Sequence, residues 1–239
     1  MIVLNLTHGE LVPYTVGLDI QERIASARRR GLIPDVLLLL EHLPVITVGR
    51  TSVSTNLLTN DSDLEVAGVQ LLSTNRGGDI TYHGPGQLVG YPIVHLGDYN
   101  RDVRSYVTLL ENHVIQACNT LGVPDVHTVD FHAGVWSGRN YIAAIGVRIR
   151  QWVTMHGFAI NVTEAVHSGF KHIVPCGVMS VQTMSLSELG GKFITVQMAA
   201  DAIVSAWTQT RIEPMQVLYG APAIDWIETN CPPNAGDPS

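Results

Sequence analysis

Lysine is almost missing from this sequence: Lys171 and Lys192 are the only two in 239 residues. Acidic residues outnumber Lys and Arg by 21 to 14, leaving a formal charge of −7. A general nucleic-acid binder is thereby excluded, because affinity for a phosphate backbone needs clustered cations. The basic spots that remain, Arg28-Arg29-Arg30 and Arg148 with Arg150, are local features that could meet an acidic partner. Long apolar runs are missing too. Val36 to Leu40 falls far short of the roughly 18 residues that span a membrane. The opening Met1-Ile2-Val3-Leu4-Asn5-Leu6-Thr7 has no basic region and no small-residue cleavage site, so no signal peptide is expected. Three cysteines, Cys118, Cys176 and Cys231, make an odd set without an export signal, which implies free thiols in a reducing cytoplasm. There is no Cys-x-x-Cys, His-Glu-x-x-His, Gly-x-Ser-x-Gly or Walker pattern. His127, Asp130 and His132 could be drawn as a metal cluster, but a strand there would splay them, so no metal is expected.

What is present is apolar and strongly patterned. Hydrophobic residues make up 46% of the chain and charged ones 15%, enough for a substantial core. Nothing resembling a linker divides it, so one domain is expected over residues 1–230. A loose tail should follow over 231–239, where Cys231 is read as exposed and prolines leave little to pack. Amphipathic spacing predicts helices over Leu18–Arg30, Asp102–Gly122 and Lys192–Trp207, with Cys118 on the apolar face of the second. Strands are expected at Val36–Glu41, Val45–Val48, Phe131–Trp136, Tyr141–Arg150 and Thr154–Val162, with turns near Ser137-Gly138 and Gln151-Trp152. Asn56–Glu65 reads as loop passing into a short helix. Strand runs mixed with unevenly placed helices indicate α+β packing rather than regular βαβ alternation.

The stretch richest in functional groups is Arg76-Gly77-Gly78-Asp79-Ile80-Thr81-Tyr82-His83-Gly84-Pro85-Gly86-Gln87. Its glycines and proline require the backbone to bend twice. Apolar segments on either side, Val69–Leu72 and Leu88–Val94, read as buried strands. An isolated Gly-Gly would suggest only a hairpin turn. Twelve residues that also carry Arg, Asp, Thr, Tyr, His and Gln at the surface point instead to a binding site with preset backbone donors. Cys176 lies between Pro175 and Gly177, a context that can hold a thiol at an accessible bend. Such a thiol, with a pKa of about 8.5, needs a cation or helix N-terminus to become a nucleophile at neutral pH.

The pattern Arg-Gly-Gly-x-x-Thr-Tyr-His-Gly-Pro-Gly-Gln resembles the signature of the lipoyl(octanoyl) transferases, a family of the biotin/lipoate protein ligase superfamily. Glu41–Arg50, Ile142–Ile149 running on to His156–Asn161, and Ile173–Gly177 agree with it in order and spacing. The resemblance implies a mixed, mainly antiparallel sheet with packed helices. It implies an octanoyl group taken from acyl carrier protein, held on Cys176 as a thioester and delivered to lysines of lipoyl domains, in 2-oxoacid dehydrogenase complexes and the glycine cleavage H protein. Neither ATP nor a metal is implied as a cofactor. Substrate contacts would come from Arg76, Gly77, Gly78, Asp79, Ile80, Thr81, Tyr82 and His83, from Ala144, Ile145 and Gly146, and from Gly157, Phe158 and Ala159. The family pattern puts a lysine where this chain has Tyr141. As a catalytic candidate Tyr141 can donate a hydrogen bond to the thiolate but brings no positive charge at neutral pH, so a further activator of Cys176 is to be sought among His83, which is preferred, Arg139, Lys171, His167 and His172. A relative that binds acyl chains or lipoyl domains without efficient transfer is the alternative, ahead of an ATP-dependent ligase.

Overall fold

Period-two burial explains the centre of the molecule. In the strand Val36–Leu40 every residue is buried, with Leu37 and Leu39 in one apolar cluster and Val36, Leu38 and Leu40 in another. A strand with no polar face must be covered on both sides. The computed structural model describes residues 1–99, 101–130, 132–175, 182–210 and 215–233. In chain order its first half comprises β1 (Ile2–Asn5), α1 (Tyr14–Arg29), β2 (Val36–Leu40), β3 (Val45–Val48), α2 (Asp61–Val66), β4 (Gln70–Ser73), β5 (Ile80–His83), β6 (Gln87–Ile93) and α3 (Val103–Thr120). The second half comprises β7 (Val126–Val129), β8 (His132–Ser137), β9 (Asn140–Arg150), β10 (Val153–Asn161), α4 (His167–Phe170), β11 (Gln182–Thr183), α5 (Leu186–Gly190), α6 (Val196–Gln209), β12 (Gln216–Tyr219) and α7 (Ala221–Asn230).

The main sheet runs β12-β1-β2-β6-β10-β9-β8-β7, with β11 added beside β9. Its β12-β1-β2 edge is parallel, and from β2 to β7 neighbouring strands alternate in direction. This is the mixed, mainly antiparallel α+β sheet expected. Residues of α1 and α7 cover one face over Leu38, Leu40, Val89 and Ala159, while α3 and α6 cover the other over Leu37, Leu39, Leu88 and Ile160. Leucines fully buried in this way each contribute about 1.5–3 kcal/mol relative to exposure. A smaller sheet, β4-β3-β5, packs Ile46, Ile80 and Tyr82 against Leu64 of α2 and Phe170 of α4. No helix among the described residues is long and apolar enough to cross a membrane.

The elements differ from expectation in instructive ways. The first helix begins at Tyr14, directly after Pro13, because Tyr14 and Gly17 turn their side inward. The last predicted helix starts later, at Val196, where the Thr195 side chain accepts from Met198 N–H. In β4, Gln70 and Ser73 are exposed and the leucines half-buried, so the expected buried strand is an edge strand. Phe131 lies outside the described residues and β8 is described from His132. Cys231, read as exposed, is buried, because α7 docks beside α1 and the Cys231 carbonyl accepts a 2.6 Å bond from Arg23 Nε. Pro232 and Pro233 are exposed, and residues 234–239 lie outside the described set.

Candidate functional site

The stretch from Arg76 to Gln87 does bend twice, and the two bends flank a strand, β5, that lies between them. Gly49 and Gly78 permit the first bend: a Cβ on Gly49 would stand 2.2 Å from the Gly78 carbonyl oxygen. At the second, Gly86 has φ +82°, donates its N–H to Glu41 Oε2 at 2.8 Å and accepts from Val162 and Thr163 N–H. The polar side chains expected at the surface are instead buried. Arg76 is 7% exposed, Thr81 9%, Tyr82 1%, His83 6% and Gln87 1%. They face inward because β5 pairs with β3 on one side while the bends fold the loop onto β9, where Gly77 N–H meets the Val147 carbonyl at 3.1 Å.

A cavity of about 350 Å³ opens there. Of the expected contacts, Arg76, Gly77, Gly78, Asp79, Ile80, Thr81 and His83 line it from the loop. Ala144, Ile145 and Gly146 line it from β9, and Gly157, Phe158 and Ala159 from β10. Tyr82 does not. Side chains alternate along β5, so the Tyr82 ring turns the other way and packs edge-on to Phe170 with centroids 5.7 Å apart. Tyr141 lines the cavity, buried, with its ring 5.0 Å from Trp136. Arg139, Lys171, His167 and His172 are not among its lining residues. Their settings differ: His167 Nε2 sits 3.0 Å from Glu188 and His172 Nδ1 2.9 Å from Thr59 Oγ1.

Cys176 lies outside the described residues. The chain on either side of it is anchored to the cavity's neighbours. Val174 N–H bonds the Asn56 carbonyl at 2.8 Å, and Asn56 Nδ2 bonds Asp79 Oδ2 at 2.5 Å. On the far side, Gln182 and Thr183 pair with Asn140 and Tyr141, and Met184 N–H bonds the Tyr141 carbonyl at 3.2 Å.

Several cavity residues are not among the expected contacts. Tyr14 arrives from the start of α1, Val89 and Tyr91 from one face of β6 and Val107 from α3, while His156, which opens the matching stretch His156–Asn161, arrives from β10. His156 sits in mid-strand at φ +57°, a left-handed conformation that costs a β-carbon-bearing residue roughly 1–3 kcal/mol and often marks a site. Its Nε2 is 3.2 Å from Asn75 Oδ1.

The histidines behind the cavity are held neutral in fixed tautomers. His42 Nδ1 lies 2.8 Å from the Val12 carbonyl, which can only accept, so Nδ1 carries the proton and Nε2 accepts from the Tyr91 hydroxyl at 2.6 Å. Gln87 spends its NH₂ on the Tyr82 carbonyl and Asn161 Oδ1, so its Oε1 accepts from His83 Nδ1–H at 2.8 Å. Burial, then the fields of His42 and Arg76, push His83 well below the ordinary imidazole value. Burial pulls His42 down to about 4 and, with Arg76 and Arg148 adding to it, His156 to about 4. His83 is therefore a proton acceptor and not a cation at neutral pH. Burial raises Tyr14 to about 12 and Tyr91 well above the usual phenol value, so both stay protonated.

These imidazoles make stability acid-sensitive. Folded values near 4 for His42 and His156 lie below the unfolded value near 6.5, so the unfolded chain binds more protons between them. Stability is full above about pH 6.5 and declines as pH falls towards 4, by roughly 3 kcal/mol for each of the two. The Tm is expected to drop steadily from pH 7 to pH 5 in calorimetry, and the loss to shrink in His156→Asn; a flat Tm over that range would contradict the buried-neutral assignment.

The mixed sheet carrying an apolar cavity under a glycine-bent loop is an architecture shared with solved lipoate protein ligases, which gives the chain's fold class. The fold matches a chain of an archaeal lipoylation system, a bi-partite lipoate protein ligase and its E2 lipoyl domain from Thermoplasma acidophilum. The TM-score is 0.71 at 15% identity, covering 97% of this chain and 96% of that one. An octanoyltransferase of Solibacter usitatus is 45% identical over 88% of this chain and 93% of its own length. Another from Koribacter versatilis is 44% identical over 82% and 78% respectively. With residues 13–208 matching the lipoyl protein ligase A/B catalytic domain, the chain belongs to that family, among its octanoyltransferases.

Proposed function

We propose that this chain moves an octanoyl group from the phosphopantetheine thiol of acyl carrier protein to a lysine of lipoyl domains, through a thioester on Cys176. The observation that carries this reading is the cavity. Val89, Val107, Ala144, Ile145, Phe158 and Ala159 give it apolar walls, while Arg76, Thr81, Tyr91 and Tyr141 give it polar ones. Apolar walls hold an eight-carbon chain at about 0.8 kcal/mol per buried methylene, and the polar groups suit a thioester carbonyl. The anchoring of Val174 beside Asn56 and of Thr183 beside Tyr141 supports a role for the intervening Cys176 at this cavity.

The chemistry balances without ATP. Thiolate attack forms a new C–S bond as the carbonyl π electrons move to oxygen; collapse restores the carbonyl and expels the carrier's thiolate. A deprotonated lysine amine then attacks the enzyme thioester, a C–N bond replaces the C–S bond, and the departing sulfur takes up the proton the nitrogen gives off. The acceptors on this reading are lipoyl domains of 2-oxoacid dehydrogenase complexes and the glycine cleavage H protein, and the cytoplasm is where donor and acceptor meet.

Incubation with octanoyl-acyl carrier protein and an unmodified lipoyl domain, without nucleotide, is expected to yield an octanoylated lysine by mass spectrometry. Modification that appears only with ATP and free octanoate would make the chain a ligase, and binding of both partners without transfer would make it a non-catalytic relative.

A further inference from the structure

Arg76 is buried, and among the described residues the hydrogen-bond partners of its guanidinium are all neutral. Its Nε and one terminal nitrogen bond Thr47 Oγ1 at 3.0 and 2.9 Å, the latter nitrogen also bonds the Thr47 carbonyl at 2.6 Å, and the other bonds the Gly77 carbonyl at 3.1 Å. Glycine positions leave room for the guanidinium: a Cβ on Gly49 would lie 2.9 Å from its Nη1. Asp79 exerts a field on it, but the Asp79 oxygens are engaged by Val53 N–H and Asn56 Nδ2. Tyr14, Tyr91 and Tyr141 also interact with the guanidinium, and the burial-raised Tyr14 and Tyr91 remain uncharged phenols. Among the described residues lining the cavity, Arg76 is the only Arg or Lys.

A buried cation that is hydrogen-bonded only to neutral groups, with the Asp79 carboxylate acting on it through its field alone, suits a site where further negative charge arrives during the reaction. Resting on the octanoyl-transfer reading, we infer that Arg76 is a catalytic residue that stabilises the oxyanion formed on the acyl carbonyl in both half-reactions. The electron pair moves from the C=O bond to oxygen beside the guanidinium and returns when the C–S bond breaks, so Arg76 neither gains nor loses a proton. Thr47 holds the fork in one plane before charge develops, which is what makes the donor effective. The motif alone marks Arg76 as one substrate contact among many, because nothing in it shows that the guanidinium is buried against neutral hydrogen-bond partners.

The same cation could instead hold the carboxylate of a free fatty acid, and the two roles separate kinetically. The test measures single-turnover acylation by octanoyl-pantetheine, together with the affinity for its unreactive amide analogue and for free octanoate. Arg76→Gln is expected to slow acylation about 10²–10³-fold with amide affinity within about threefold of wild type. Unchanged acylation overturns the inference, and so does a loss of octanoate affinity as large as the loss of rate. Should Arg76→Gln fail to melt cooperatively, Arg76→Lys decides. It keeps the charge and loses the planar fork, so acylation about tenfold or more slower with unchanged amide affinity is expected, and wild-type acylation overturns the inference. A wild-type protein that never acquires the acyl group overturns the functional reading itself, and the inference with it.

Discussion

Replacing Gly157 with alanine is expected to lower the Tm by about 6–12 °C and to close the cavity to acyl chains. The added Cβ would lie 2.3 Å from the Gly90 carbonyl oxygen and 2.5 Å from Pro92 Cδ, both on the adjacent strand β6. Neither atom can swing aside as the end of a flexible side chain could, so β6 and β10 must part where they pair at the centre of the sheet. A strain of about 3 kcal/mol follows from overpacking against backbone, and in a chain of this size each kcal/mol moves Tm by about 2–4 °C. Gly157 lines the cavity beside Phe158 and Ala159, so function should fall with stability. Calorimetry and octanoate binding measure the two effects; a Tm within about 2 °C of wild type would mean that this strand contact is not as close as described.

Much of the fold is legible in the sequence because local signals and tertiary demands agree. The helix Val103–Thr120 announces itself by apolar spacing, and its Asp102 cap accepts from Arg104 and Ser105 N–H. The β9–β10 hairpin turns at Gln151-Trp152, where both residues take positive φ. Other elements are hidden. The strand β5 is only four residues between glycine bends, and its pairing with β3 is a long-range fact. The helix α7 follows a terminal strand, and its burial of Ile227 depends on a partner helix near the other end of the chain.

The site divides the same way. Its glycine-rich loop stands out by composition, while the β9 and β10 residues enter only through the family resemblance; the structure lays all three stretches along one cavity, where Gly146 and Gly157 leave no room for a β-carbon. Tyr14 and Tyr91 look like ordinary core aromatics in the sequence, since only the folded sheet brings them to Arg76. Tyr82 shares the motif with the cavity residues, but strand alternation sends it to the other side, against Phe170. His83, preferred as the group that would activate Cys176, is a buried neutral imidazole bound to Gln87, a state that depends on burial no motif reports.

The second large effect concerns Cys176, on which the proposed route depends. Cys176→Ala is expected to reduce octanoyl transfer by more than about 10³-fold, since without the thiol no thioester can form and the lysine amine would have to attack the carrier's thioester directly. Cys118→Ala and Cys231→Ala should leave the chemistry intact, because burial holds Cys118 at about 12 and Cys231 at about 11, far from the thiolate form at neutral pH. The most direct measurement is the intact mass of the protein after incubation with octanoyl-acyl carrier protein at pH 7, with and without hydroxylamine, on wild type and Cys176→Ala. A single hydroxylamine-labile octanoyl adduct that maps to Cys176 and vanishes in the variant is the predicted result. Transfer to the lipoyl domain with no adduct on wild type, or an adduct that persists in Cys176→Ala, would contradict the thioester route.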